Sequence, residues 1–469
     1  MNKVNKILIK DAAAVVSCDA DDTVYRDVDI LIEGSRILGI GKGLSADGAE
    51  QLSAEGRFIY PGLVNTHHHF FQTFVRNLTA VDFPNMSVIQ WLDEIYEIFK
   101  LISSEAIYYS SLTAMADLIK HGCTCAFDHQ YCYPRSAGKE LVDRQMEAAS
   151  LLGMRYHAGR GVNTLPRSEG STIPDEMLET TDEFLSDCDR LIDLYHDDKP
   201  FSMSQIVVAP CQPVNSYRDT FVESAALARD KGVRLHSHLG EGENAPMEER
   251  WGMRSLDWCE EIGFAGPDVW YAHGWEFSAG ELERMARRGT GLSHCPAPAV
   301  LGGFPILDIP AIDRMGLSLS LGCDGSATND GSNLLDSLRM AYLMQCFHSK
   351  ERGGSPSPYR MLKAATVGGA DHLGRPDLGS LEPGKAADLF MIDTEVLELA
   401  GAVHDPANLL PRVAVTGPVA LTMINGKVVW ENGELTGVDE RALFHAAEAA
   451  CDDSIRDKVE HFTKPGFPE

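Results

Sequence analysis

Eight strand-like runs separated by helix-like stretches fill the middle of this chain, and few architectures accept that rhythm. The runs are 62–66, 123–128, 153–158, 204–210, 233–238, 268–273, 289–294 and 317–324. Helical patterns between them include Glu105–His121 and Asp219–Lys231. Strands that alternate with helices build parallel sheets, and eight such units in a row fit an α/β fold of the (β/α)8 TIM-barrel type. The expectation is a distorted barrel over residues 59–377.

The two ends read as one further domain. Short β-type runs at 7–9, 23–33 and 36–40 are separated by turn residues, with a hairpin around Glu33-Gly34-Ser35. Ala387–Ile392 and Ala420–Ile424 are again strand-like, and Asn425-Gly426 before Lys427–Trp430 is a strong hairpin signal. Residues 1–58 and 378–437 are expected to form a small β-sandwich, and 438–469 a helical tail packed outside. A chain of 469 residues has room for barrel, satellite and tail together.

Bulk properties exclude more than they identify. Apolar residues make up 44%, enough for a large core, yet none of the windows resembles a membrane-spanning helix. The basic, briefly apolar start Met1–Lys10 is too short for a secretion signal and reads as a first strand. Eleven cysteines without framework spacing suggest reduced thiols and a cytoplasmic setting. Cys123 and Cys125 flank Thr124 and are expected on one side of a strand. A formal charge of −28 would repel a phosphate backbone, so no nucleic acid partner is expected.

The chemistry lies where the polar residues fall. His67 and His69 end the first strand run, and His-x-His on a strand puts both rings on one face. His236 and His238 end the fifth, with Glu241 three residues on. His273 ends the sixth, His294 the seventh and Asp324 the eighth. Barrel active sites form at these strand ends. Imidazoles plus one carboxylate suit zinc or ferrous iron, with room left for a water. A lone strand-end histidine is more often structural, and Asp324 before a glycine fits a simple turn; the convergence of all of them argues for a metal centre. His68 should face away, and His236, one pleat deeper, should lie in the core or support the ligands.

These motifs resemble the amidohydrolase superfamily, in its branch of aminohydrolases acting on purines, pyrimidines, pterins and s-triazines. The resemblance rests on Pro61–His69, His238-Leu239-Gly240-Glu241, Ala272-His273, Gly322–Gly325 and, in the satellite, Ile32–Ile37 and Gly379–Leu389. It implies metal ligands at His67, His69, His238 and Asp324, a proton shuttle at Glu241 and a polarising histidine at His273, with Asp324 also acting in catalysis. The dinuclear members' bridging lysine has no counterpart in Gln205–Pro210, which implies one divalent ion per chain, zinc being favoured and ferrous iron compatible. Gln72 matches a position that contacts the substrate's amide edge in guanine deaminases, although it could simply cap the following loop. Trp91 and His129 are further substrate-binding candidates, with Phe70, Phe71, Asp128 and residues 295–303 as pocket walls; Trp91 could equally be a packing residue. One departure stands out: after the shared Ser293-His294-Cys295-Pro296, Ala297-Pro298-Ala299 replaces a Ser-Asn pair common in the family.

The implied activity is hydrolytic deamination of a small nitrogen heterocycle resembling 8-oxoguanine, guanine, a pterin or isocytosine. The alternative is an s-triazine aminohydrolase or chlorohydrolase, or a cyclic amidohydrolase. Some chloride-displacing relatives lack the shuttle glutamate, so the presence of Glu241 favours an amine leaving group. A non-catalytic metal-binding protein would be marked by loss of Glu241 or Asp324, and both are present. A homo-oligomer is implied by the resemblance alone.

Overall fold

The computed structural model describes residues 6–78, 86–349, 354, 356–413, 415, 417–451 and 453–462. Its strands, in chain order, begin with β1 Lys6–Val16, β2 Val24–Glu33, β3 Arg36–Gly41, β4 Glu50–Ser53 and β5 Arg57–Pro61. The central set is β6 Leu63–Asn65, β7 Cys123–Gln130, β8 Arg155–Arg160, β9 Ser204–Val208, β10 Arg234–Leu239, β11 Val269–His273, β12 Gly291–His294 and β13 Leu319–Leu321. The last are β14 Leu389–Asp393, β15 Leu421–Ile424, β16 Lys427–Glu431 and β17 Glu434–Leu435.

β6 to β13 form one eight-stranded sheet in sequence order, every neighbouring pair parallel. The first and last strands meet through single bonds rather than a ladder: Thr66 N–H donates to Leu321 O at 3.2 Å and Asp324 N–H to His67 O at 3.0 Å. This is the expected α/β barrel, nearly closed. The sequence itself sets its handover points. Helices Leu141–Leu152, Arg218–Lys231, Ala279–Arg288 and Ile309–Met315 each end on a left-handed glycine, at 153, 232, 289 and 316. A residue without Cβ adopts that conformation cheaply and turns the chain into the next strand. Ser278 with Glu281 and Thr180 with Glu183 close capping boxes at two helix starts.

The strand ends differ from the sequence reading where it matters. The ladder of β6 stops at Asn65, so His67 to His69 lie on irregular backbone beyond it. β13 stops at Leu321 and frees residues 322–324. Cys123 and Cys125 also do not share a side: Cys123 belongs to the main core cluster and Cys125 to the one with Val64, Phe127 and Trp270. Leu63 pairs with Cys123 and Val64 with Cys125, so β7 carries an extra residue there, and such a bulge breaks strict alternation.

β1–β5 and β14–β17 form a nine-stranded sheet from both chain ends that encloses its own core of Ile9, Ile30, Ile59, Leu389 and Met423. Helices Glu440–Ala450 and Asp453–Phe462 follow; Lys120 meets Glu440 at 2.6 Å, and Ile455 is buried among Phe71, Trp91 and Phe99. Among the described residues no cysteine forms a disulfide and no helix is long and apolar enough to cross a membrane.

A buried ion pair joins the barrel to the nine-stranded sheet. Arg155 on β8 grips Asp388 with two bonds, Nε to Oδ2 at 3.0 Å and Nη2 to Oδ1 at 2.8 Å. Asp388 also accepts Asn425 N–H at 2.8 Å in the satellite hairpin. The two side chains are 0% and 4% exposed. Asp388→Ala strands a buried guanidinium, so we expect a loss of about 3–5 kcal/mol in urea unfolding of the metal-replete protein. A change below about 1 kcal/mol, the ordinary scale of exposed pairs, would mean the seam is solvated.

Candidate active site

The site is stacked from the barrel floor upwards. Trp270 of β11 packs in the lumen against Phe127, ring centres 4.9 Å apart, and donates Nε1–H to Thr66 O at 3.1 Å. Its carbonyl faces Nδ1 of His236 at 2.9 Å. A carbonyl only accepts, so Nδ1 of His236 carries the proton and Nε2 presents a lone pair. That lone pair meets Nδ1 of His67 at 2.9 Å, which must therefore be the donor. Nε2 of His67 is left bare, and it has no hydrogen-bond partner although fully buried.

The same logic fixes two more rings. Nδ1 of His69 donates to His129 O and Nδ1 of His238 to Cys211 O, both at 2.9 Å. Both Nε2 atoms are then lone pairs, yet they face each other at 3.1 Å. Asp324 Oδ1 sits 3.4 Å from Nε2 of His67 and 3.2 Å from Nε2 of His69. Burial pushes His67 down to about 4 and His236 and His238 well below the usual imidazole range, which keeps those three rings neutral. Four electron donors without a proton among them repel at these distances. A divalent cation between them converts the repulsion into attraction, so the donor set fits such an ion. His68 turns away: Nδ1 accepts His69 N–H at 2.8 Å, and Nε2 meets the Ser332 hydroxyl Oγ at 3.0 Å.

Tight backbone lets these groups converge. Asp324 has φ 65° and His273 φ 80°, left-handed values that cost free energy in a non-glycine residue and cluster at functional sites. Gly322 sits where a Cβ would lie 2.8 Å from the Cβ of His67. A Cβ on Gly325 would overlap the Gln72 amide at 1.9 Å.

The proton-handling groups stand beside this centre. His273 is buried, with Nε2 3.4 Å from Glu241 Oε1 and 4.0 Å from Asp324 Oδ2, and neither ring nitrogen has a hydrogen-bond partner. Burial, and then the nearby Asp324 charge, raise Glu241 well above the usual carboxylic-acid range. A carboxyl group so placed can hold a proton near neutrality. Its loop is pinned from behind: Glu243 accepts the Gly240 and Glu241 N–H groups at 2.6 and 2.7 Å. Glu276 accepts Gly242 N–H at 3.1 Å.

A narrow cavity opens on this face. It is lined by His69, His238, Glu241 and Asp324, by the apolar and aromatic Val88, Trp91, Leu92, Tyr96 and Tyr131, and by Gln72, Cys211, Gln212 and Thr328. Gln72 holds the Ala327 N–H through Oε1 at 3.1 Å. His129, expected at the substrate wall, packs instead behind the rings of His67, His69 and His238. Its Nε2 faces Ala209 O at 2.6 Å, and its ring lies on His238 with centres 4.8 Å apart. Phe70, Phe71 and Asp128 are core residues, Asp128 accepting a bond from Gln145 at 2.8 Å. The 295–303 segment is also not on the wall; it forms the short helix Pro296–Leu301, and Ala299 packs with Trp275 and Met344.

Sequence reasoning missed Tyr96, Tyr131, Cys211 and Gln212. Signals for them existed. Val88, Trp91, Leu92, Ile95, Tyr96 and Phe99 form a helical stripe, and the other three residues follow the C-terminal ends of β7 and β9.

Fold and site together define a metal-dependent hydrolase barrel, and the amidohydrolase family model matches residues 58–429. The chain belongs to the amidohydrolase family and is a hydrolase of C–N bonds. It is 53% identical to hydroxydechloroatrazine ethylaminohydrolase of Pseudomonas sp. (strain ADP) over 92% of each chain. It is 34% identical to 8-oxoguanine deaminase of Pseudomonas aeruginosa over 90% of this chain and 94% of that one. Among solved structures, atrazine chlorohydrolase of Arthrobacter aurescens TC1 complexed with zinc superposes with a TM-score of 0.90 at 30% identity, over 95% of this chain and 100% of that one.

The tautomer chain makes His236 a support for His67. His236→Phe keeps a ring in place but removes the lone pair, so metal affinity should fall about 10–100-fold in chelator competition. Unaltered affinity in a folded variant would show that His67 needs no such support.

Proposed function

We propose that this enzyme hydrolyses an amino or alkylamino substituent from a hydroxylated s-triazine-type ring, using one divalent ion, zinc by preference. The observation that carries the reading is Glu241, a buried carboxyl group with its proton affinity raised, facing the cavity beside His273. An amine leaves a ring carbon readily only when protonated, whereas chloride needs no proton. The ring class is supported by the 53% identity to an ethylaminohydrolase. That relative favours the triazine reading over the free-amine deamination that the sequence put first.

His67, His69, His238 and Asp324 would hold the ion. When bound it supplies Lewis acidity, bringing the pKa of a water down toward about 7. Asp324 is placed to accept a proton from the attacking water. Glu241 protonates the ring nitrogen next to the reacting carbon, which makes the carbon more electrophilic. Nε2–H of His273 stabilises the negative charge that develops on the attacking oxygen. The new C–O bond forms, Glu241 and Asp324 relay a proton to the exocyclic nitrogen, and the C–N bond breaks to release the amine. Trp91, Tyr96 and Tyr131 offer aromatic surfaces to a flat ring, and Gln72 an amide to its polar edge. Scattered cysteines that form no disulfide among the described residues favour a reducing compartment such as the cytoplasm.

The test is product analysis by metal-replete enzyme on hydroxylated and chlorinated alkylamino-triazines, 8-oxoguanine, guanine, isoxanthopterin and isocytosine. We expect alkylamine release from the hydroxylated triazines at kcat/KM of about 10⁴ M⁻¹s⁻¹ or better. Ammonia release from the oxopurines with silence on triazines would restore the deaminase reading. Glu241→Gln should keep the metal and lose about 100- to 10,000-fold in kcat. Full turnover by that variant would remove Glu241 from the proton path.

A further inference from the structure

Gln212 was assigned no part in the proton path above, yet its amide is bonded to the shuttle. It follows Cys211 just beyond the end of β9 and precedes Pro213. A residue before proline is confined to extended backbone, and Gln212 has φ −152° and ψ 150°. The Cys211 peptide is fixed on one side by its N–H to Val162 O at 3.0 Å. On the other side its carbonyl receives Nδ1–H of His238 at 2.9 Å and Ser237 Oγ–H at 3.0 Å. One residue later, Gln212 Nε2 donates to Glu241 Oε2 at 2.7 Å. Gln212 is 4% exposed and lines the cavity.

Two adjacent residues thus hold a metal-facing histidine and the shuttle carboxyl group in one register. We propose that Gln212 is the positioning residue of Glu241: by occupying Oε2 it makes Oε1 the oxygen that gives and takes the proton. The geometry agrees atom by atom. Oε1 is the oxygen 3.4 Å from Nε2 of His273, on the side where charge develops. Oε2 is turned back towards the β9 end. Without the amide, the carboxyl group can rotate about its last bond, and either oxygen can carry the proton away from the ring nitrogen. Misorientation of an acid–base group costs rate rather than substrate affinity. The proposal rests on Glu241 being the shuttle but does not depend on which ring is the substrate.

The experiment is a double-mutant cycle between Gln212→Met and Glu241→Gln, read on whichever panel compound the wild-type enzyme turns over. A wrong ring class therefore leaves the cycle intact, and full activity of Glu241→Gln alone would overturn the shuttle rather than only its holder. Gln212→Met removes the donor at similar length. We expect kcat to fall about 10- to 100-fold, within the range of general acid–base effects, with KM and metal content near wild type. In the Glu241→Gln background the same substitution should change kcat little, because the oriented group is already gone. Gln212→Leu serves the same cycle should Gln212→Met lose metal or fold. Equal losses in both backgrounds would make Gln212 a structural residue and overturn the proposal, as would wild-type kcat in Gln212→Met.

Discussion

Four lone-pair donors aimed at one point, with every competing proton committed elsewhere, are the constraint to which the rest of this molecule answers. Nδ1 of His69 and of His238 is spent on a backbone carbonyl, and Nδ1 of His67 on His236, which spends its own on Trp270. The arrangement is unfavourable until a cation completes it. A flexible peptide would escape by rotating the rings. Here the rings are buried, the carbonyls belong to strand ends, and the floor beneath them is filled. The barrel supplies stiffness, since interior side chains at close-packed density cannot swing aside.

That stiffness is assembled from distant parts of the chain. β6 and β13 lie more than 250 residues apart, and the bonds joining Thr66 to Leu321 and Asp324 to His67 both close the barrel and seat two metal-facing groups. The left-handed conformation of Asp324 sits at this closure, and that of His273 at the end of β11. Strain of this kind persists only where the surroundings over-determine it, and here β11 and β13 are each locked between packed neighbours. Arg155 and Asp388 extend the lock to the satellite sheet, so both chain ends brace one side of the barrel.

Much of this was legible in the sequence. Alternating strand and helix patterns gave the barrel, and strand-end position with parity singled out His67, His69, His238, His273 and Asp324. The depth of His236 could be judged because it lies one pleat below His238 on the same strand. His129 was misjudged because one sequence does not tell how far a strand end rises above the lumen. Its carbonyl accepts from His69 and its ring backs His238, so the side chain supports the site from behind and does not line the cavity. The 295–303 segment misled for a related reason: an apolar replacement looks like a pocket wall, but its helix turns Ala299 into a small cluster with Trp275. Gln212 was hidden because its meaning depends on the turn after β9 meeting the loop after β10, a contact between segments 29 residues apart.

The two acidic groups at the centre complete the argument by their contrast. Asp324 faces the position a cation would take, where a negative charge is favoured. Glu241 is buried beside Asp324 and Glu243, where a second and third negative charge are resisted. One carboxylate is thereby suited to bind a cation and accept a proton, and the other to arrive already protonated. Pushing apart the proton affinities of two neighbouring carboxyl groups is how a single site runs acid and base steps at one pH. A reaction that expels an amine needs both, because the water must lose a proton and the leaving nitrogen must gain one. The environments of Asp324 and Glu241 therefore argue for the leaving group more directly than the shape of the cavity argues for the ring.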